Sequence, residues 1–302
     1  MTDGTGEFAI EVSHLTRQFR RKRAVDDVSL KVPRGCVYGL LGENGAGQTT
    51  LIKHLLGALR AKSGEVRVLG RDPVADTVEV LGRIGYLSED RAMPTWMRVR
   101  ELIRFMRAFY PKWDPDFAQE MLTQFRLDPE AKVKHLSRGE RAKAGLLVAL
   151  AHRPELLILD EPSSGLDVIV RQDLLGAILR NVAGEGRTVF FSSHLLDEVE
   201  RACDHVAIMA GGKVILADRL DAILESHHRI TLRFETPFPT RPVITGALSC
   251  TGMDRDWTVI CDGHRETVIG HAVSMGATVV DERTPSLEEV FVARTKASGS
   301  KP

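Results

Sequence analysis

The chain has 302 residues, enough for one large α/β domain and a smaller second one. Lys plus Arg and Asp plus Glu both total 41, so no overall charge bias points to nucleic acid as a partner. A signal peptide is not expected, because the N-terminal sequence lacks a basic start and an apolar core, and no apolar run approaches the ~20 residues that span a bilayer. We expect a soluble, cytoplasmic protein whose four cysteines are buried thiols in a reducing compartment.

In chain order, apolar strands alternate with helical patterns, which indicates an α/β fold. The predicted strands lie at residues 8–12, 28–32, 36–41, 64–70, 84–87, 156–159, 188–191, 206–209, 214–216, 230–234, 258–261 and 278–280. A basic run at residues 17–23 is interpreted as a solvated face. Apolar residues at helical spacing between 94 and 127 predict a helical insert. We predict a first domain at residues 1–226 with a helical subdomain at about 89–152, and a small α+β domain at 227–302.

The stretch from Gly39 to Thr50, Gly-Leu-Leu-Gly-Glu-Asn-Gly-Ala-Gly-Gln-Thr-Thr, lies between a predicted strand and a predicted helix. This is the context of a phosphate-binding loop, in which glycines allow positive φ and the amides of residues 45–50 point inward at a helix N-terminus. The hydroxyl of Thr49 suits a magnesium ligand. The pattern requires lysine where this chain has Gln48. A glycine-rich turn can also be purely structural, so the hypothesis needs support from other motifs.

An acidic pair, Asp160-Glu161, ends the uniformly apolar run at residues 156–159. A strand of this kind is typical of the centre of a parallel sheet, whose carboxyl edge carries ligand sites. Asp160 would hold Mg²⁺ and Glu161 would act as general base toward an attacking water. The alternative is an ordinary Asp-Glu-Pro turn.

Further motifs follow in a fixed order. Leu-Ser-Arg-Gly-Glu at 136–140 opens a helix with Ser137 in an N-cap context, Ser-Gly-Leu-Asp follows the acids at 164–167, and Ser-Ser-His ends a strand at 192–194. With this ordered set, the chain resembles the nucleotide-binding subunits of ATP-binding cassette (ABC) transporters across roughly residues 8–217. The resemblance implies a P-loop NTPase fold of the ABC type with a helical subdomain, followed by the small α+β domain, and it implies ATP and Mg²⁺ as ligands.

The resemblance also implies roles for the residues that match. Phe19 would stack on adenine, Ser137 and Gly139 would contact the γ-phosphate of ATP on the opposite subunit, and Asp167 would act across the dimer. His194 would hydrogen-bond the γ-phosphate. The implied nucleotide-binding residues are Phe19, Gly42, Asn44, Gly45, Ala46, Gly47, Gln48, Thr49, Thr50, Ser137, Gly139 and Asp167; the catalytic ones are Gln48, Glu161 and His194; the magnesium ligands are Thr49, Glu89 and Asp160.

Two positions depart from the family pattern. Glu89 replaces a glutamine that ligates magnesium, and Gln48 replaces the lysine of the phosphate loop. A full charge at ~4 Å is worth up to ~4 kcal/mol at an effective dielectric near 20, and losing one transition-state donor costs about 10²–10³ in rate. We therefore predict impaired hydrolysis with weakened but retained binding. Gln48 fits a slow or regulatory ATPase, an engineered change or a sequencing error, and one sequence leaves these open.

The resemblance extends to the drug, antibiotic and polysaccharide-type (ABC-2) exporter branch through residues 109–114 and 284–291. Trp96 and Met97 lie where the family docks a membrane subunit, although ordinary packing would also explain them. We predict the ATP-hydrolysing subunit of an exporter. Two copies, a homodimer, would sandwich ATP head to tail and drive a separate membrane permease at the cytoplasmic face of the membrane. The alternatives are a nucleotide-binding pseudoenzyme that switches conformation and a soluble ABC ATPase without a transport role.

Overall fold

The computed structural model describes residues 6–20, 22–181, 183–238 and 240–299. A central sheet has the strand order β5-β6-β7-β3-β8-β9, in which β9 alone runs antiparallel to its neighbour. Its strands are β3 (Val37–Gly42), β5 (Ile84–Leu87), β6 (Leu156–Asp160), β7 (Thr188–Ser193), β8 (His205–Ala210) and β9 (Lys213–Arg219). The predicted α/β architecture with a parallel core is confirmed.

Strand β6 shows why the core is parallel and central. Every residue of β6 is buried. Leu157 and Leu159 belong to one hydrophobic cluster, whereas Leu156 and Ile158 belong to another. Because successive side chains point to opposite faces of a sheet, a strand covered on both faces is apolar throughout. The prediction for this strand is confirmed.

A second, antiparallel sheet covers one face of the core. It has the order β2-β1-β4, with β1 (Phe8–Phe19), β2 (Lys22–Pro33) and β4 (Ser63–Val68). β1 and β2 extend far beyond the predicted segments 8–12 and 28–32 and meet in a hairpin. Register shifts interrupt their pairing between Val12 and Leu15 and again before Arg17. Such bulges break the alternation of buried and exposed residues. The alternating sequence pattern therefore ends at the bulge, although the strand continues beyond it.

The helices of the first part of the chain are α1 (Gln48–Leu55), α2 (Thr77–Leu81), α3 (Val99–Arg107), α4 (Pro115–Gln124), α5 (Arg138–Leu150), α6 (Val168–Asn181) and α7 (Leu196–Ala202). α3, α4 and α5 contribute to the larger hydrophobic cluster. α3 and α4 lie within residues 94–127, and the helical subdomain at about 89–152 stays a prediction. α5 begins with a reciprocal cap. The Glu140 amide donates to Ser137 Oγ at 3.2 Å, and the Ser137 amide donates to Glu140 Oε2 at 2.8 Å.

The last part of the chain consists of α8 (Leu220–Ser226), β10 (His227–Phe238), β11 (Ala247–Asp262), α9 (Arg265–Ser274), β12 (Ala277–Arg283) and α10 (Leu287–Ala297). Its sheet has the order β11-β10-β12 and its own hydrophobic cluster. α10 packs back on the first part: Leu287 and Val290 join the larger cluster, and the Leu287 amide lies 3.3 Å from Glu200 Oε2. The domain division after residue 226 stays a prediction. Within the described ranges, no helix is both long and apolar enough to cross a bilayer.

The turn before α1 requires glycine. Gly47 has a φ of 112°, and a Cβ at this position would lie 2.2 Å from the carbonyl oxygen of Ala24 in β2. Since strain at a positive φ alone costs about 1–3 kcal/mol, we expect Gly47→Ala to lower the free energy of unfolding by about 2 kcal/mol or more. Urea unfolding measures the change. Gly270→Ala in α9 is the control, because a Cβ there meets nothing within 4 Å and alanine favours helix by up to ~1 kcal/mol. Unchanged stability of Gly47→Ala would contradict this packing.

The cap of α5 generates a prediction about pH. Hydrogen bonds from Ser137 lower the pKa of Glu140 below its ordinary value of 4.5. A pKa that is lower in the folded state gives stability above pH ~4.5 that is lost as the pH falls through the lowered value. Glu140→Gln should therefore destabilise the protein at pH 7 by about 0.3–1 kcal/mol, as expected for an exposed carboxylate at a helix N-terminus.

Thermal unfolding of Glu140→Gln and the parent between pH 7 and pH 3 measures this effect. The difference in Tm should shrink as the pH falls below ~4.5. Glu120→Gln, which removes an exposed carboxylate within α4, is the control and should show no such trend. A difference that stays constant across this range would contradict the role assigned to the carboxylate.

Candidate functional site

A cavity of about 470 Å³ opens beside the N-terminus of α1, where β3, β6 and β7 end. It gathers side chains from five separate parts of the sequence. The lining residues are Lys22, Ala24, Asn44, Gly45, Gly47, Gln48, Thr49, Thr50, Glu89, Glu161, Ser164 and His194. One cavity is therefore lined by most of the predicted phosphate loop and by Glu89. The predicted general base Glu161 and the predicted histidine His194 line it as well.

The phosphate loop has the geometry of an anion site, with one exception. α1 begins directly after Gly47 and has no acidic residue in its first turn, so its N-terminal amides present partial positive charge. The Ala46 amide, predicted to point inward, instead donates to Glu43 O at 2.9 Å and closes a tight turn, while its side chain is buried. Gly42 ends β3 and lies outside the lining of the cavity.

Gln48 is buried and turned toward the sheet. Its Nε2 donates to the carbonyl oxygen of Leu40 in β3 at 2.7 Å. The neutral amide donor that would replace the lysine is therefore engaged by the backbone. The second N–H of the amide is neutral, so it would offer a bound phosphate a hydrogen bond but no charge.

The two acids are held by a serine. Ser192 Oγ donates to Asp160 Oδ1 at 2.8 Å and accepts from the Glu161 amide at 3.0 Å. Glu161 has a φ of 49°, a conformation that non-glycine residues rarely adopt and that is common at functional sites. Sequence reasoning noted Ser192 only as part of the Ser-Ser-His motif. Its signal is a hydroxyl at the end of a buried strand, where the hydroxyl needs partners.

Glu161 and His194 form a pair at the cavity wall. His194 Nδ1 lies 2.8 Å from Glu161 Oε2. Burial raises the pKa of Glu161 above its ordinary value, His194 opposes this shift, and the nearby charges of Glu89 and Asp160 add to it. A raised pKa makes a carboxylate a stronger proton acceptor. The contact of His194 with a phosphate group stays a prediction.

Two of the predicted magnesium ligands line the same cavity, and the third, Asp160, lies outside its lining but next to Thr49. Thr49 Oγ1 is 3.4 Å from Asp160 Oδ1, and Glu89 lines the cavity with Thr49. Hydroxyl and carboxylate oxygens are the ligands that Mg²⁺ prefers, so the residues present fit this ion.

The predicted signature residues lie in a different cavity. Ser137, Gly139 and Asp167 line a space of about 390 Å³ that shares no residue with the phosphate-loop cavity. Asp167 Oδ1 accepts hydrogen bonds from the amides of Ile169 and Val170 and so caps α6. One chain therefore does not bring these residues to its own phosphate loop.

Phe19 lies outside the lining of the phosphate-loop cavity. Its ring is half-exposed at the end of β1, and the Arg17 guanidinium carbon lies 4.8 Å from the ring centroid. Stacking on a base by Phe19 stays a prediction.

Sequence reasoning missed two cations. Arg91 is buried and donates to the carbonyl oxygens of Pro162 at 3.0 Å and Ser164 at 2.8 Å, which ties the segment after Glu89 to the loop after the acids. Lys22, interpreted as part of a solvated basic face, lines the phosphate-loop cavity. No local pattern distinguishes either residue from a surface charge, because both contacts are long-range.

Comparison with known proteins agrees with this geometry. The model of a family described as ABC transporter matches residues 25–164. The ABC transporter ATP-binding protein YtrB of Bacillus subtilis is 27% identical over 94% of this chain and 97% of its own length. The bacitracin transport ATP-binding protein BcrA of Bacillus licheniformis is 33% identical over 78% of this chain and 77% of its own length.

Solved structures share the fold. An ATP-binding subunit of an ABC transporter is 27% identical, with a TM-score of 0.66 over 72% of this chain and 92% of its own. The dimeric bacterial ABC transporter cassette MJ0796, 20% identical with a TM-score of 0.63 over 70% of this chain and 98% of its own, supports the fold alone. The predicted ABC-type P-loop NTPase fold is confirmed, and this chain belongs to the family of ABC transporter ATP-binding proteins.

Proposed function

We propose that this chain is the ATP-binding and ATP-hydrolysing subunit of an ABC exporter, in which Gln48 slows hydrolysis. One observation carries the proposal. A single cavity gathers most of the phosphate loop, Glu89 and the Glu161–His194 pair, and Asp160 contacts Thr49 of its lining. Anion binding, a hard-cation site and a proton acceptor are the parts that phosphoryl transfer to water requires.

In this proposal the triphosphate of ATP occupies the loop at the N-terminus of α1, where amides and the helix dipole favour negative charge. Thr49, Asp160 and Glu89 would hold Mg²⁺, which neutralises phosphate charge when bound. The Ser192 hydroxyl fixes the Asp160 carboxylate relative to the Glu161 backbone, which orients the proposed cation ligand. Ser192 is thus a positioning residue.

Glu161 accepts the proton of the attacking water in this mechanism. The water oxygen bonds to the γ-phosphorus, the bond to the bridging oxygen of ADP breaks, and the proton passes to the Glu161 carboxylate. His194 holds Glu161 Oε2 in position. Burial raises the pKa of Glu161, which strengthens it as a base.

Gln48 acts on the rate in this proposal. Its neutral side chain places no positive charge beside the phosphates, and its Nε2 donates to the carbonyl oxygen of Leu40. Charge that develops on the phosphate oxygens in the transition state loses one stabilising partner, whereas the loop amides remain to bind ATP. Hydrolysis should therefore suffer more than binding.

We further propose a head-to-tail homodimer. The separate cavity of Ser137, Gly139 and Asp167 supports it, because a second copy is needed to bring these residues to a bound γ-phosphate. The Ser137 hydroxyl accepts from the Glu140 amide and keeps its own proton for donation to an anion.

The proposed partner is a separate membrane permease at the cytoplasmic face of the membrane. Trp96 is 72% exposed, as a docking residue requires, and Met97 beside it is half-buried. The relative named for bacitracin transport supports a transport role. Export and the identity of the permease belong to the proposal.

A second candidate function is a nucleotide-binding switch without useful turnover. Gln48 favours it, because its amide offers phosphate no positive charge and one of its N–H donors is engaged by Leu40 O.

The test of the proposed function removes the base. Glu161→Gln should lower ATP hydrolysis by about 10²-fold or more, and it should strengthen ATP binding because one negative charge leaves an acidic site. ATP, but not ADP, should then convert this variant to a dimer, as measured by light scattering after size-exclusion chromatography.

Glu120→Gln is the matched control, since it removes an exposed carboxylate outside both cavities and should leave turnover and binding unchanged. A folded Glu161→Gln protein that hydrolyses ATP as fast as the parent would refute the role of Glu161. A monomer at saturating ATP would refute the dimer.

A further inference from the structure

The phosphate-loop cavity is acidic for a site that binds a polyanion. Glu89 and Glu161 line it, and Asp160 Oδ1 lies 3.4 Å from Thr49 Oγ1. The loop carries the neutral Gln48 instead of a cation. Each carboxylate repels a phosphate, and in a partly desolvated site this repulsion is several times stronger than in water. A cation from elsewhere in the chain would offset it.

Lys22 is placed to supply that charge. It opens β2, lines the same cavity, and its Nζ lies 3.4 Å from the carbonyl oxygen of Gly45 within the loop. In the described part of the chain, the Lys22 ammonium forms no ion pair, whereas its neighbour Arg23 pairs with Asp26. The ammonium therefore keeps its charge, and two of its three hydrogen-bond donors, for a ligand.

The backbone around Lys22 is fixed against the loop. Gly47 packs on the carbonyl oxygen of Ala24, the Asp26 amide donates to Gly212 O at 2.8 Å, and the Gly212 amide donates to Ala46 O at 3.1 Å. The start of β2 and the phosphate loop thus form one unit. The flexible four-carbon stem of Lys22 lets the ammonium move from Gly45 O to a phosphate without moving the backbone.

We propose that Lys22 binds the phosphate groups of the nucleotide and supplies the positive charge that Gln48 does not. This inference rests on the proposed function, because it assumes a nucleotide in the cavity. Lys22 comes from the β1–β2 hairpin, where it pairs with Phe19. Since Lys22 is exposed, its attraction to phosphate is partly screened and acts mainly on binding.

The experiment measures MgADP binding by calorimetry for the parent, Lys22→Gln, Lys22→Arg and Lys53→Gln. Lys53 is the matched control, because it is an exposed lysine of α1 that does not line the cavity. Lys22→Gln should weaken MgADP binding roughly tenfold. Lys22→Arg keeps the charge and should bind like the parent, and Lys53→Gln should change the Kd by less than about twofold. The loss in Lys22→Gln should shrink as salt rises from about 0.05 M to about 0.5 M.

A double substitution shows whether the two positions share one role. With Gln48→Lys in place, adding Lys22→Gln should weaken MgADP binding by only about twofold, because the loop then has its own cation. Unchanged MgADP binding by Lys22→Gln in the parent background would overturn the inference and leave the proposed function intact. Absence of MgADP binding by the folded parent would overturn both.

Discussion

The parallel pairing of β6, β7 and β3 is the constraint on which the site depends. It brings Asp160 beside Ser192, and Leu41 beside Ser193, at one edge of the sheet, so Thr49 and Asp160 meet although they are 111 residues apart in sequence. The apolar faces of these strands are buried on both sides, which fixes their register. A slip of β6 by one residue would place Leu159 beside Ser192, where Asp160 now lies. The hydrophobic core thus sets the geometry of the polar site.

Within this frame, charge balance decides what the site does. The carboxylates proposed to hold a cation and to accept a proton would also repel the phosphates of a bound nucleotide, and Gln48 supplies no charge in the loop to offset this. The loop amides and the dipole of α1 keep part of the attraction. In our proposal Lys22 of the hairpin would restore binding more than rate, because an exposed side chain is less preorganised toward the transition state than a buried one.

Much of this was predictable from sequence, for physical reasons. The apolar run before Asp160 indicates burial, and the glycines before α1 indicate an unusual backbone geometry. The order of the motifs in the sequence indicated one ATP site. Bulges hid the length of β1 and β2. Lys22 and Arg91 were missed because their partners are distant in sequence. The Ala46 amide and the direction of Gln48 depend on local hydrogen bonds that a motif does not encode.

The central claim is that Gln48 limits the rate of hydrolysis more than the binding of ATP. Single-turnover hydrolysis and the Kd for ATP, measured side by side for the parent and Gln48→Lys, test it most directly. We predict that the lysine raises the hydrolysis rate by about 10²–10³ and tightens binding by no more than about tenfold. Equal hydrolysis rates in the two proteins would contradict the account.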